Sequence, residues 1–507
     1  MSLTGDHIQR SPLAGDAPDR MMRDARVQAV MTIVIALVTI AAAPILNTVS
    51  PILAGAVLSL VGIAVARGMP GQAPFFAIFW LLFQNIFISL SSPLIPAPED
   101  LEIIKGYNFL LCAVMWLTMT ASYLLEPHKS ATDIRRLMTI SWIAIASIVV
   151  YFVIGFPSAG TAAVIYLRNI IFPVILFQLA LLAAASHEIR LRPLLIYIAV
   201  AFIACGYVEL CFRDFWLDVT NGHAYWRFEE IKATNAGTWE REMRRTGQVM
   251  VTLKDRFVTS FLNTPLLKDL GFPDILRTFG PNTHPISFAY ALVFFILVFA
   301  SIGSPALALA TLPIAVLTGV KGALILGLFV AGCWVSTRLI GAVRTLILGI
   351  VALVLYVAYG IYLGLQIGDY HVIGFMGGWN GLLSAPFGRG LGIGGNLTQD
   401  FSDIDWSAAQ QSGAVDGAFE SSVGVLIYQM GIAAVIPLGF TAYVGFRTWL
   451  LHAQTGNLLQ GVAGFGMLVI LANGVFQEEA LFSPLALGLL LTLAGLILGS
   501  EARRDAA

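Results

Sequence analysis

The chain has 507 residues, of which 58% are hydrophobic and only 12% charged, and its net charge is −1 at pH 7. Soluble proteins carry roughly 25% charged residues, so a water-soluble domain is excluded, and so is the global basic field of a nucleic-acid binder. What remains is an all-α, polytopic integral membrane helical bundle.

Residues 1–26 are polar and are expected to form a cytoplasmic N-terminal segment. Apolar runs follow, among them Val27–Ile45, Ser141–Phe156 and Leu346–Gly364, near or at the ~20 residues that a helix needs to cross the hydrocarbon core. Ala41–Ala43 has the form of a signal-cleavage tripeptide. The run before it is too long for a signal h-region, so an uncleaved first helix is expected. Such runs predict about 12–14 transmembrane helices, the runs at 305–320 and 322–338 being the weakest. They fall into an N-terminal group (27–212), a central group (285–366) and a C-terminal group (421–499), with 500–507 as a cytoplasmic tail. The cysteines Cys112, Cys205, Cys211 and Cys333 lie in or beside apolar runs without metal-ligand spacing, and read as small core residues.

Basic residues fix the expected topology. Arg26, Arg67, Arg135, Arg136, Arg190, Arg192, Arg338, Arg344, Arg447, Arg503 and Arg504 all fall on one side if both termini are cytoplasmic. The opposite short loops, "PAPEDLEIIKG" (96–106) and "FQEEALF" (476–482), are poor in Lys and Arg, as the positive-inside rule requires. Two long polar segments, 213–284 and 367–420, then lie outside as large loops. Trp216, Trp226, Trp239 and the run "VMVTL" (249–253) in the first argue for order, as short helices on the membrane surface.

Few residues can carry chemistry. Arg168 lies within an apolar run, roughly 10 Å below the outer end of its span. A buried cation is costly there, so it either snorkels to the interface or, the preferred reading, lines a cavity for a negatively charged group. Arg277 and His284 belong to "RTFGPNTHPISFAY", where Pro281 and Pro285 set the start of the next helix. Arg277 then hangs at the outer mouth of the bundle, suited to bidentate phosphate binding. Lys321 joins two short spans, as a helix-end anchor or a ligand contact.

Gly390, Gly392 and Gly395 in "FGRGLGIGGN" (387–396) match the dinucleotide spacing G-x-G-x-x-G. That fingerprint needs a strand before it and a helix after it, and neither flank supplies one. The stretch reads either as a bare flexible turn or as a loop bringing backbone N–H groups and Arg389 to an anion. Glu420, at the end of the second loop, either favours a helix N-terminus or acts as a base. Asp400, Asp403, Asp405 and Asp416 make this loop acidic without a calcium-loop pattern, so no metal is expected.

The succession Arg277, Gly280, Pro285; Thr318, Lys321, Gly322; Gly388, Gly390, Leu391, Gly392; and Glu420, Ser421, Leu426, Gln429, Gly431, Ile432 resembles the O-antigen polymerase/ligase superfamily. It is most similar to its Wzy-type exopolysaccharide repeat-unit polymerases, over about residues 270–435. The resemblance implies a glycosyltransferase C-like membrane enzyme without nucleotide, cofactor or metal, in the bacterial inner membrane. Its substrate would be an undecaprenyl-pyrophosphate-linked oligosaccharide on the periplasmic leaflet, and a chain-length regulator would be a possible partner. Arg277 and Glu420 would be catalytic, while Arg168, Lys321, Arg389 and His284 would bind pyrophosphate or glycan. The family commonly has arginine where Lys321 stands, and its ligase branch has histidine near Glu420, so glutamate there favours the polymerase. A ligase, or a flippase for the same lipid-linked oligosaccharide, is the alternative. Trp226, Trp379 and Trp406 would stack on sugars or anchor at the interface.

Overall fold

The computed structural model describes residues 19–126, 131–189, 191–235, 258–261, 270–271, 273–398, 404, 406–413 and 415–505. Among these the chain is helical, apart from one antiparallel ribbon of β1 (Val258–Ser260) and β2 (Asp274–Leu276). In chain order the helices are α1 (Asp19–Val49), α2 (Pro51–Gly68), α3 (Ala73–Ser91), α4 (Pro98–Leu125), α5 (Thr132–Ala159), α6 (Thr161–Ser186) and α7 (Leu191–Cys211). Two short helices follow, α8 (Arg213–Val219) and α9 (Gly222–Asn235). The second half holds α10 (Pro285–Ser301), α11 (Pro305–Leu317), α12 (Lys321–Ile340), α13 (Ala342–Ile367), α14 (Tyr370–Ser384) and α15 (Trp406–Ser412). It closes with α16 (Ser422–Met430), α17 (Val435–Thr455), α18 (Leu458–Asn473), α19 (Glu478–Phe482) and α20 (Leu487–Asp505).

By length and composition, 11 helical segments among the described residues can cross a membrane. In two of them a short helix continues into a longer one, α16 into α17 and α19 into α20. Three further apolar helices are shorter, with 17 residues in α10, 13 in α11 and 16 in α18. At 1.5 Å per residue α11 spans only about 20 Å, because Pro305 opens it and the Thr318–Gly319 turn closes it.

The centre of the bundle is the pair α6 and α20. The apolar stretch of the segment containing α20 is 94% buried within the protein, against 11% for α13, whose apolar surface is left for lipid. Small residues allow the central contact: a Cβ on Gly495 would stand 2.6 Å from the Phe177 carbonyl oxygen, and one on Gly499 2.5 Å from that of Leu181. Apolar surface supplies no drive to associate in lipid, so close backbone approach of this kind holds the helices together.

Charge separates the two ends. Arg67, Arg503 and His187 line one cavity of about 640 Å³ where α2, α6 and α20 end. At the same end Arg447 pairs with Asp133 at 3.0 Å. The other end gathers the described parts of both long polar segments. The second segment is more than a loop, since it contains α14 and α15. Asp369 caps α14, accepting the N–H groups of His371 and Val372. Gly374, Gly377 and Gly378 let α14 press on the backbone of residues 415–424. In the first segment Trp216 and Trp226 lie on α8 and α9, whereas Trp239 and 249–253 lie outside the described residues. Asp400, Asp403 and Asp405 also lie outside them. Of the thiols, Cys112 and Cys333 are buried, Cys205 is half-buried and Cys211 is exposed.

Candidate functional site

The turn carrying Arg277 is fixed by a carboxylate from α7. Glu209, buried near the end of that helix, accepts the N–H of Phe279 at 3.1 Å and of Gly280 at 2.6 Å. Arg213, one turn further on, sits 3.6 Å from the same carboxylate and donates to the Arg277 carbonyl oxygen at 2.6 Å. Gly280 is in the left-handed region (φ 68°), where a Cβ would lie 2.2 Å from the Phe288 ring. The backbone of residues 277–280 is thus clamped, and the Arg277 side chain is presented from it. Among the described residues its Nε is buried without a hydrogen-bond partner. Burial lowers the proton affinity of the guanidinium, opposed by the Glu479 carboxylate; at arginine's high starting value the group stays cationic.

Arg277 and Lys321 line one cavity of about 530 Å³, together with Asp369, His371, Asn473 and Gln477. Lys321 is the first residue of α12. The turn beneath it rests on a polar network: Tyr290 donates to Gln477 Oε1 at 2.8 Å, and Asn473 Nδ2 donates to Tyr290 Oη and to the Gly322 carbonyl oxygen. Tyr356 and Tyr359 of α13 form an aromatic wall.

His284 is the N-cap of α10, its Nδ1 accepting the Ser287 N–H at 3.3 Å. Burial pushes the imidazole below its usual value; Arg277 and Lys105 push the same way and Glu479 opposes. A neutral ring accepting at Nδ1 carries its proton on Nε2. His284 is therefore spoken for on one side by the helix and shares the electrostatic surroundings of Arg277.

Glu420 stands just before α16, whose N-cap is Ser421, the acceptor of the Gly424 N–H at 3.0 Å. Glu420 itself is free of capping duty and adopts φ 58°, a left-handed conformation that costs a residue with a Cβ. Three contacts hold it there. His371 Nδ1 lies 3.0 Å from its carbonyl oxygen and 3.8 Å from its Oε2. Its N–H donates to Asn396 Oδ1 at 2.9 Å. Burial raises the proton affinity of the Glu420 carboxyl; His371 opposes this, and the Glu479 and Asp369 carboxylates add to it.

The glycine-rich stretch has a defined fold. Arg389 and Gly390 both donate their N–H to the Gln429 carbonyl oxygen, and Leu391 donates to that of Tyr151. Gly390, at φ 102°, sits where a Cβ would be 2.5 Å from Gly155 Cα. The glycines thus let one backbone thread between α5 and the α16 turn. Arg389 is engaged in this packing: it donates to the Gly381 carbonyl oxygen (2.9 Å) and Ser384 Oγ (2.8 Å), and its guanidinium stacks 4.1 Å from the Tyr428 ring centre. It is not among the residues lining the Arg277–Lys321 cavity.

Arg168 also stands apart from that lining. Its Nε donates to Asn169 Oδ1 at 3.3 Å, and the opposing charge it feels is Glu102 of α4. Two residues away, Tyr166 points to the other face of α6 and donates to Glu478 Oε1 at 3.1 Å. Asn396 donates to Glu478 Oε2. Of the six expected site residues, Arg277 and Lys321 line this cavity; His284 and Glu420 lie outside its lining but feel the same Glu479 carboxylate as Arg277, a link that Arg168 and Arg389 lack. In the sequence Glu478 and Glu479 mark only a loop poor in basic residues, and Glu209, Asp369, His371 and Asn396 belong to no motif. Two adjacent carboxylates heading an apolar run are the signal that could have found the first pair. Among the described residues, no three His, Cys, Asp or Glu side chains are grouped to hold a metal ion.

No protein-family model matches the chain, and no curated protein matches it.

Proposed function

We propose that the protein is a membrane glycosyltransferase that polymerises undecaprenyl-pyrophosphate-linked oligosaccharide repeat units. In this reading it lies in the bacterial inner membrane, with the arginine-rich end cytoplasmic and the Glu420 end periplasmic. The observation that carries the reading is one cavity, about 530 Å³, lined by Arg277, Lys321 and His371, with Glu420 behind His371.

In the transfer, a sugar hydroxyl of the acceptor attacks the anomeric carbon of the donor glycan. The bond from that carbon to the pyrophosphate oxygen breaks, and its electron pair leaves with the lipid pyrophosphate. Arg277 and Lys321 offset the charge that builds on the leaving group, and do so most where water is excluded. Glu420 takes the hydroxyl proton. Its raised proton affinity suits the role, because a general base works best with a midpoint close to the working pH. His371 holds the Glu420 backbone and stands beside its carboxylate. Tyr356 and Tyr359 offer aromatic faces to sugar rings. Arg389 and Arg168 take no part in the step and serve packing and helix placement.

The test is to incubate purified protein with undecaprenyl-pyrophosphate-linked repeat units. A ladder of longer glycans, with one undecaprenyl pyrophosphate released per linkage, is expected. Units crossing a bilayer with no ladder would replace this reading with a flippase.

A further inference from the structure

The glycine-rich stretch ends on a side chain that neither the proposed chemistry nor the packing of the loop accounts for. Asn396 joins two acidic residues from different parts of the chain. Its Oδ1 accepts the Glu420 N–H at 2.9 Å, and its Nδ2 donates to Glu478 Oε2. The orientation is dictated by chemistry, since a backbone N–H can only donate and the amide oxygen must face it. The other Glu478 oxygen accepts from Tyr166 Oη at 3.1 Å. Gly395 sits where a Cβ would fall 2.3 Å from that same hydroxyl, so the loop reaches Tyr166 only with glycine there. At the far end of the chain of bonds, Glu420 is held in its unfavourable left-handed backbone conformation.

We propose that Asn396 is a positioning residue for the Glu420 base, fixed by a relay from Tyr166 through Glu478. The proposal rests on the reading of Glu420 as the base, and it explains the glycine loop as the means of delivering one amide side chain to the right place. Glu420 is also faced by His371 and Asp369 from the head of α14 and by Glu479 from α19, while Glu478 is faced by Tyr166, Glu479 and Glu420. Among these contacts, Asn396 supplies the bond to the Glu420 N–H.

The polarity of the relay can be inverted to test it. Asn396→Asp keeps the acceptor for the Glu420 N–H but turns a carboxylate oxygen toward Glu478, and the two then need a shared proton. N396D/E478Q restores a donor–acceptor pair with its direction reversed, and still leaves an oxygen to accept from Tyr166. Full-length protein is assayed for linkage formation with lipid-linked repeat units, and its melting temperature is read in parallel. For Asn396→Ala, kcat should fall at least tenfold with KM within twofold of wild type. For N396D, activity relative to wild type should be lowest at alkaline pH and should rise as pH falls. N396D/E478Q should return to within threefold of wild type, with the wild-type pH profile. An N396A kcat within threefold of wild type, or an N396D/E478Q protein no better than N396D, overturns the proposal. If wild type itself forms no linkage, the transferase reading fails and the melting temperatures decide the relay. N396D melting below wild type at alkaline pH, with recovery in N396D/E478Q, supports it; N396D melting level with wild type there overturns it.

Discussion

The Glu209 carboxylate of α7 accepts the Gly280 N–H at 2.6 Å, so a buried acid on one helix sets the turn from which Arg277 projects. Removing one partner of a buried ion pair costs about 3 kcal/mol or more. Glu209→Ala strips the acceptor from two backbone N–H groups and removes the buried carboxylate that faces Arg213, so a loss of that size is expected. The melting temperature in detergent measures it, and an unchanged value would show that the turn holds itself.

Glu420 should give two opposite pH signatures. Its folded-state proton affinity is raised, so its contribution to stability is full below the ordinary glutamate value and is lost as pH rises through the raised one. Glu420→Gln, which cannot ionise, should therefore melt above wild type near neutral pH, with the gap closing in acid. Transfer needs the ionised form, so wild-type kcat should climb with pH through a midpoint above the ordinary glutamate range. A flat kcat profile would remove Glu420 from the role of base.

Arg389 separates packing from catalysis. Arg389→Ala loses two hydrogen bonds and a stacked ring, together about 1.5–4 kcal/mol. Melting should fall accordingly, while kcat per folded molecule stays within threefold of wild type. A loss of kcat a hundredfold or greater at unchanged melting temperature would return Arg389 to the pyrophosphate site.

Gly155 and Gly439 make a matched pair. A Cβ on Gly155 would stand 2.1 Å from the Leu391 carbonyl oxygen, whereas one on Gly439 would meet nothing within 4 Å. Gly155→Ala should cost about 3 kcal/mol by forcing the loop off α5. Gly439→Ala in the second turn of α17 should be neutral or gain about 0.5 kcal/mol. Equal melting temperatures for the two variants would mean that the loop is not seated against α5.

The membrane class and the positions of the apolar helices were legible because hydropathy is a property of the segment itself. Gathering of Arg67 and Arg503 at one end was also legible, since the positive-inside pattern is written along the chain. Arg168 and Arg389 were harder. A lone arginine in an apolar or glycine-rich stretch looks like a ligand group until its neighbours are known, and Glu102, Tyr428 and Gly381 are neighbours only in the fold. The partners of the glycines were hidden for a related reason: glycines permit close approach, and the spacing does not say to what. Here the partners are α5, Gln429 and Tyr166. Glu209 was invisible because its partners are backbone N–H groups about 70 positions away. The helical character of 370–384 was hidden by its glycines, which lower intrinsic helix propensity and which the fold uses for contact with residues 415–424.

The central claim is that glycan transfer takes place at the cavity lined by Arg277 and Lys321. The single-turnover rate of linkage formation by purified Arg277→Ala, supplied with undecaprenyl-pyrophosphate-linked repeat units, tests it most directly. Loss of one fixed donor to a developing charge typically slows a reaction about a hundredfold or more, and that slowing is expected here with normal membrane abundance. A rate within threefold of wild type would contradict the account.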